Sequence, residues 1–153
     1  MITTLLLSSF FITANVEPNE KNTQQYNGDY VSALQIFKGT NAIRDEVGSL
    51  PLAWNECLSK EAKKRAKQIV DTGLFAHEDK TGKQPFSKQV ENCGEDWKWA
   101  GENLAKGYKS GKAIVKAWKK SHGHYLNMVK EEYTEIGIAC EKHVCVQFFG
   151  DFE

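Results

Sequence analysis

Near its C-terminal end the chain contains two short runs rich in apolar, β-branched and aromatic residues, at 134–140 and 144–149. Only Glu141, Lys142 and His143 separate them. Two such runs joined by a short polar connection are typical of an antiparallel β-hairpin. Because side chains alternate between the two faces of a strand, a hairpin this apolar must be covered by other segments of the chain.

Two of the four cysteines flank the turn of this hairpin. Cys140 and Cys145 would lie directly opposite one another, at a distance that allows a disulfide bond. Four cysteines allow three pairings, and this bond leaves Cys57 with Cys93. The alternatives are a zinc site, for which the chain lacks a Cys-x-x-Cys pair, and four free thiols in a reducing cytosol. We expect two disulfides, as in an exported protein.

The segments before the hairpin have helical periodicity and recognisable ends. One helix is predicted over 31–47 and stops at Gly48, a second is capped by Asn55 and stops at Gly73, and a third runs from its cap Ser110 through Ser121. Shorter helices are predicted at 87–92 and 125–129, and a further strand at 104–108. Helices come first and antiparallel strands follow, so the predicted fold class is α+β, with a sheet covered by helices.

The composition indicates one soluble globular domain. The chain has 153 residues, is 41% hydrophobic and carries 20 Lys+Arg against 20 Asp+Glu. A neutral chain has no general attraction to nucleic acid or to an acidic membrane surface. Lysines are dense at 60–67 and again at 116–120, and we interpret both runs as solvated helix faces. We therefore expect no nucleic-acid partner, and we expect a monomer.

Residues 1–14 contain no charged side chain and include an apolar stretch. The stretch is too short to span a bilayer, which needs about 20 apolar residues. It is typical of a secretory signal peptide cleaved after Ala14, although no Lys or Arg follows Met1; the alternative is an ordinary N-terminal strand or helix. The polar residues 15–28 then form a linker to a domain at 29–153. This interpretation predicts a secreted protein without a membrane span.

Two histidines and one carboxylate are the candidates for chemistry. His77 follows the end of the second helix, His124 lies between two helical segments beside a glycine that allows a tight turn, and Glu102 lies in Gly-Glu-Asn. Two imidazoles and a carboxylate suit zinc or another divalent cation, with positions open for water or substrate. They equally suit a metal-free acid–base pair. Surface or capping histidines are the alternative to either kind of site.

Six sequence blocks, in order over about residues 41–150, resemble the CAP superfamily. This superfamily, also called the SCP domain, comprises cysteine-rich secretory proteins, antigen 5 and plant pathogenesis-related class 1 proteins. The blocks are Asn41-x2-Arg44-x3-Gly48-x2-Pro51-Leu52-x-Trp54; Ala62 and Ala66; Phe75-x-His77; Gly101-Glu102-Asn103-x-Ala105-x-Gly107; Val115-x2-Trp118-x2-Ser121-x-Gly123-His124-x2-Asn127; and Ile136-Gly137-Ile138 with Gln147-x-Phe149-Gly150.

The resemblance implies a three-layer α-β-α sandwich with a central antiparallel sheet, an exported location and a cleft with two histidines. Carried over by position, the cleft residues are His77, Glu102 and His124. Ser121 stands where the family often has a second glutamate, a departure similar to the bacterial or phage-type subgroup. It removes one candidate acid, for which Glu78, Glu91 or Glu95 could compensate.

Other polar and aromatic residues have two interpretations. Trp97, Trp99 and Tyr108 flank the Gly-Glu-Asn block and could form a ligand-stacking wall or belong to the core. Trp118 is interpreted as core. Gln147, near the end of the last strand, is interpreted as structural, satisfying backbone groups beside the sheet.

The resemblance does not settle the activity, because the family has no agreed reaction. The leading hypothesis is a secreted protein that acts by binding an extracellular ligand or protein, with a divalent cation on His77 and His124. The alternative is a metal-assisted hydrolase of a peptide or envelope component, with Glu102 as general base. A third hypothesis is a purely structural module whose cleft is vestigial.

Overall fold

The computed structural model describes residues 23–26, 29–94 and 96–152, with side chains from Val31 onward. The predicted signal peptide at 1–14 lies outside the described residues. So does the predicted linker at 15–28, apart from one strand that is described below.

The chain alternates helices and strands in an α+β order. The helices are α1 Ala33–Glu46, α2 Glu56–Thr72, α3 Pro85–Glu91, α4 Gly111–Lys120 and α5 His122–Val129. The strands are β1 Thr23–Tyr26, β2 Asp29–Ser32, β3 Ala53–Trp54, β4 Ala100–Lys106, β5 Glu135–Glu141 and β6 Val144–Gly150. β1 and β2 pair as a separate antiparallel ribbon, so part of the predicted linker is a strand. None of the described helices is long and apolar enough to cross a bilayer.

The central sheet has the strand order β3-β5-β6-β4. The predicted hairpin is β5–β6, and β4 pairs antiparallel with β6 on its other side. The two-residue strand β3 extends the other edge and is parallel to β5. The predicted central antiparallel sheet is therefore confirmed, with one short parallel strand added at its edge.

Helices cover both faces of this sheet, which confirms the three-layer sandwich. On one face α2 and α3 bury a cluster that includes Leu58, Ala66 and Val90 against Phe148 of β6. On the other face α1, α4 and α5 bury a second cluster, which includes Ile36, Ile114, Trp118 and Met128 together with Ile138 and Phe149 of the sheet.

Gly137 of β5 allows α2 to lie very close to the sheet. A Cβ atom at this position would be 2.3 Å from the backbone carbon of Leu58 in α2. That distance is far inside ordinary van der Waals contact, so only glycine fits the observed packing. The glycine sets the distance between the first helical layer and the sheet.

Both predicted disulfides are present. Cys140 and Cys145 are directly paired in the β5–β6 register, and their Cα atoms are 4.0 Å apart. Cys57 in the first turn of α2 bonds Cys93, just after α3. The second bond therefore fastens α3 and the segment after it to the first helical layer.

Two element boundaries differ from the prediction. The predicted helix at 125–129 begins at His122, because the chain breaks from α4 at Ser121, which is extended, and Gly123 lies within the first turn of α5. The expectation that Gly123 forms a tight turn is wrong. The strand predicted at 104–108 begins at Ala100 and ends at Lys106, where the pairing with β6 ends.

Candidate functional site

Glu102 is a buried carboxylate at the centre of the site. It lies in β4, and only 1% of its side chain is exposed. Its Oε2 accepts a hydrogen bond from Nε of Arg65 at 3.0 Å, and its Oε1 lies 2.8 Å from Nδ1 of His77. A carboxylate is stable at such a position only if its charge is paired and its oxygens are hydrogen-bonded. Arg65 supplies the charge, so Glu102 is tied to α2 as well as to the histidine.

Arg65 places the loop that carries His77. The arginine is buried on α2, and its second guanidinium nitrogen donates to the backbone carbonyls of Ala76 at 2.6 Å and His77 at 3.1 Å. A planar guanidinium with five donors can hold a carboxylate and two carbonyls at once. The segment after α2 is therefore fixed by a helix side chain.

Sequence reasoning missed Arg65, although one signal was present. Arg65 lies between Ala62, Ala66 and Ile69, the residues predicted to face inward on α2. A charged residue in an apolar helical stripe must find a buried partner or leave the stripe. The partner itself, 37 residues away, could not be read from the local pattern.

His77 is half-exposed, and its pKa is raised. The hydrogen bond to Glu102 is the main cause, and the negative charges of Glu102 and Glu78 add to it, while burial and the positive charge of Arg65 oppose it. Because Nδ1 is engaged with the carboxylate, the opposite ring nitrogen, Nε2, points away from Glu102. The ring of His77 therefore keeps its proton to a higher pH than a free histidine, and its Nε2 is directed away from Glu102.

His124 has the opposite electrostatic character. It lies in α5, its Nδ1 is 2.9 Å from Oγ of Ser121, and its pKa is lowered, first by burial and then by the nearby positive charge on His77. The positive charge of His77 thus acts on His124, and we call the region between these two rings the candidate cleft. Ser121, where the family often has an acid, is therefore the partner that orients the second imidazole.

A network of side-chain amides joins the elements beneath the cleft. Asn127 of α5 donates to the carbonyl oxygen of Glu102 at 3.2 Å and to Oδ1 of Asn103 at 3.0 Å. Asn103 donates to the carbonyl of His124 at 3.2 Å and to Oε1 of Gln147 at 3.0 Å. Gln147 in turn donates to Thr40. Gln147 is structural as predicted, but its partners here are side chains instead of backbone groups.

Glu102 is poorly placed to be a cation ligand. Both oxygens of Glu102 are occupied by Arg65 and His77, which makes the glutamate an orienting partner of a histidine instead of a ligand. Within the described residues there is no group of three or more His, Cys, Asp or Glu side chains placed to hold a metal ion. Catalytic zinc sites use three protein ligands, so the donor set does not match them.

The acids proposed to replace the missing family glutamate have separate roles. Glu78 acts on His77 only through its charge, and Glu91 pairs with Lys88 and borders a cavity of about 560 Å³ with Trp97. Glu95 lies outside the described residues.

The aromatic residues near Gly-Glu-Asn do not share a single wall. Trp97 packs against the α2–α3 cluster, whereas Trp99 lies under the ammonium group of Lys130, 4.0 Å from its ring centroid. Trp99 also borders a separate cavity of about 610 Å³ with Tyr133. Tyr108 is 37% exposed, and Trp118 is core as predicted. The ring centroid of Trp118 is 6.1 Å from that of His124, so this core residue lies beside the candidate cleft.

Comparison with known proteins gives consistent matches. The model of the cysteine-rich secretory protein family, CAP, matches residues 37–149. The uncharacterized protein YkwD of Bacillus subtilis is 39% identical over 110 residues, which are 71% of this chain and 42% of that protein. The uncharacterized membrane protein YlbC of the same organism is 29% identical over 118 residues, 77% of this chain and 34% of its own. The chain thus spans well under half the length of these two relatives.

Solved structures agree in fold. An extracellular protein containing a SCP domain from Bacillus anthracis superposes with a TM-score of 0.70 at 30% identity, over 77% of this chain and 39% of that one. An outer surface protein from Borrelia burgdorferi gives 0.69 at 20% identity, over 77% of this chain and 90% of that one. The second likeness is one of fold alone.

Proposed function

Because the chain belongs to the cysteine-rich secretory protein (CAP) family, we propose that it acts outside the cell as a binding protein whose cleft takes a divalent cation on His77 and His124. The extracellular setting is supported by the B. anthracis neighbour, described as an extracellular protein. The cleft itself is supported by one observation: Glu102 is fixed between Arg65 and His77, so that Nε2 of His77 faces away from the carboxylate, and the positive charge of His77 acts on His124.

The opposite pKa shifts determine how the two imidazoles would act. Coordination requires a neutral ring. His124 meets this condition over a wide pH range because its pKa is lowered, whereas His77 must release a proton that Glu102 helps to retain. Binding near neutral pH should therefore release protons from His77, and affinity should fall as the pH decreases through the histidine range, starting above ~6.5.

Isothermal titration of Zn²⁺ into the parent protein, His77→Ala, His124→Ala and His143→Ala tests this proposal. We expect one site in the parent and in His143→Ala, whose histidine lies in the β5–β6 turn, and loss of most binding in the other two variants. Repeating the parent titration in two buffers of different ionisation enthalpy measures the protons released. Equal zinc affinity in His77→Ala and the parent would exclude the shared site.

Binding is preferred to hydrolysis because of the state of Glu102. A general base needs a carboxylate oxygen available to a water molecule, and both oxygens of this buried group are engaged. A screen against peptide and envelope substrates separates the alternatives. Zinc binding without turnover agrees with the proposal, turnover that is lost in Glu102→Gln supports the hydrolase, and neither binding nor turnover leaves a structural module.

A further inference from the structure

The positive charge of the chain is concentrated in one segment. Residues 103–130 contain seven lysines and no Asp or Glu, although the whole chain has equal numbers of basic and acidic residues. Six of the seven lie between 106 and 120, in and just before α4. A neutral protein whose exposed lysines cluster on one helix has a locally positive surface there, and it would approach a negative surface in a preferred orientation.

α4 presents its lysines away from the core. Gly111, Ile114 and Trp118 are buried on one side of the helix, and Lys112, Lys116 and Lys120 are exposed on the opposite side. Lys119 pairs with Glu46 of α1. Of the residues that the structure describes, none brings a carboxylate within ion-pair distance of the other three. We call Lys112, Lys116 and Lys120 the α4 lysine face.

The lysine run of α2 differs from that of α4. In α2, Lys64 pairs with Glu61 and Lys67 pairs with Asp71, both within one helical turn. That run is a solvated helix face with its own counter-charges, as predicted. α4 contains no Asp or Glu, so the charge of the α4 lysine face is not compensated within its own helix.

We propose that the α4 lysine face docks onto the surface of an anionic phospholipid bilayer. Its three lysines lie on one side of a straight helix and span about 12 Å of its axis, so that they can reach one plane together. A convex face suits a plane better than it suits a flexible polymer chain, which a groove would enclose. Clusters of lysine on one helix face are attracted to anionic lipid head groups by about fivefold in affinity per residue.

The contact would be electrostatic and superficial. The half-buried residues between these lysines on α4 are Ala113, Val115 and Ala117, and the large apolar side chains Ile114 and Trp118 point into the core. Without an exposed apolar wedge the helix cannot insert into the acyl region, and binding should be abolished by high salt. This surface shares no residue with the histidine cleft, so it is a function separate from cation binding.

Co-sedimentation of the full chain with lipid vesicles tests the proposal. The probes are vesicles of phosphatidylcholine containing phosphatidylglycerol, and vesicles of phosphatidylcholine alone. The triple variant Lys112→Gln/Lys116→Gln/Lys120→Gln is compared with Lys60→Gln/Lys63→Gln/Lys64→Gln on α2, which removes the same charge from the other helical layer. Thermal unfolding of both variants verifies that each is folded.

We expect the parent to bind only the anionic vesicles, the α4 triple variant to bind about a hundredfold more weakly, and the α2 triple variant to lose much less. Equal losses in the two variants would show a net-charge effect and overturn the proposal. So would binding to phosphatidylcholine alone, the absence of binding by the parent, or parent binding to long-chain polyphosphate but not to anionic vesicles, which would assign the face to a polymer.

Discussion

Replacing Glu102 by Gln tests the central pair of the site with almost no change of shape. The variant removes the negative charge that faces Arg65, whose side chain is only 3% exposed. Breaking a buried ion pair by removing one partner costs about 3–5 kcal/mol, since the remaining charge stays buried. Arg65 keeps its bonds to two carbonyls and to Gln68, and the amide oxygen of the new side chain can still accept. We therefore expect about 3 kcal/mol, or a decrease of roughly 6–12 °C in Tm.

The same variant should lower the pKa of His77. Its bond to Glu102 is the main cause of the raised value, so most of the increase should disappear, and the charge of Glu78 should remain. A histidine with a raised folded-state pKa stabilises the fold fully below its unfolded pKa of about 6.5, and this contribution is lost as pH rises through the folded pKa. The stability gap between parent and variant should thus be larger below that window than above it.

Two assays check these expectations. Urea unfolding at several pH values gives the stability gap, and titration of the histidine ring signals by NMR gives both histidine pKa values directly. Glu78→Gln is the matched control, since it removes a lesser cause and should lower the pKa of His77 only slightly. An unchanged His77 pKa in Glu102→Gln would refute the coupling of the buried carboxylate to this histidine.

Two further predictions concern the frame that holds the cleft. Gly137→Ala should destabilise the fold by about 3 kcal/mol or more, because the new Cβ would overlap α2 and force it away from the sheet. Gly123→Ala is the control: it has open space around it and should be neutral or stabilising by up to about 1 kcal/mol. Thermal unfolding compares the two variants. Loop length predicts that removing the Cys57–Cys93 disulfide, which spans 36 residues, costs about 4 kcal/mol of unfolding free energy, and that removing Cys140–Cys145, which spans 5, costs about 2 kcal/mol. Urea unfolding of the two double Cys→Ala variants measures both costs. A reversed order would contradict the loop-entropy model.

Helix boundaries were predicted correctly where a single nearby residue caps the helix. The side chains of Asn55 and Ser110 accept from the backbone N–H groups of Leu58 and Ala113, and Gly73 ends α2 with a positive φ of 70°. Such contacts involve residues three or four apart, so the sequence displays them. The start of α5 was missed because the side chain of Ser121 makes no capping bond there and turns to His124 instead.

The hairpin disulfide was predictable for the same reason, since Cys140 and Cys145 are close in sequence and the alternating runs define which residues face each other. The parallel pairing of β3 with β5 was not, because Ala53 and Glu135 are distant in the chain and β3 is only two residues long. A strand this short has no period that a pattern could reveal.

The candidate residues of the cleft were found by their motifs, but their roles depend on contacts that the motifs do not contain. From its motif alone, Glu102 could be a metal ligand or a general base. In the fold, one of its oxygens accepts a hydrogen bond from Arg65, a residue of a different layer. The same guanidinium holds the backbone of His77, so one side chain both removes the carboxylate from direct chemistry and fixes the histidine that it orients. In the proposed site a cation would therefore bind the two imidazoles, so zinc affinity, and not hydrolysis, is the first property to measure.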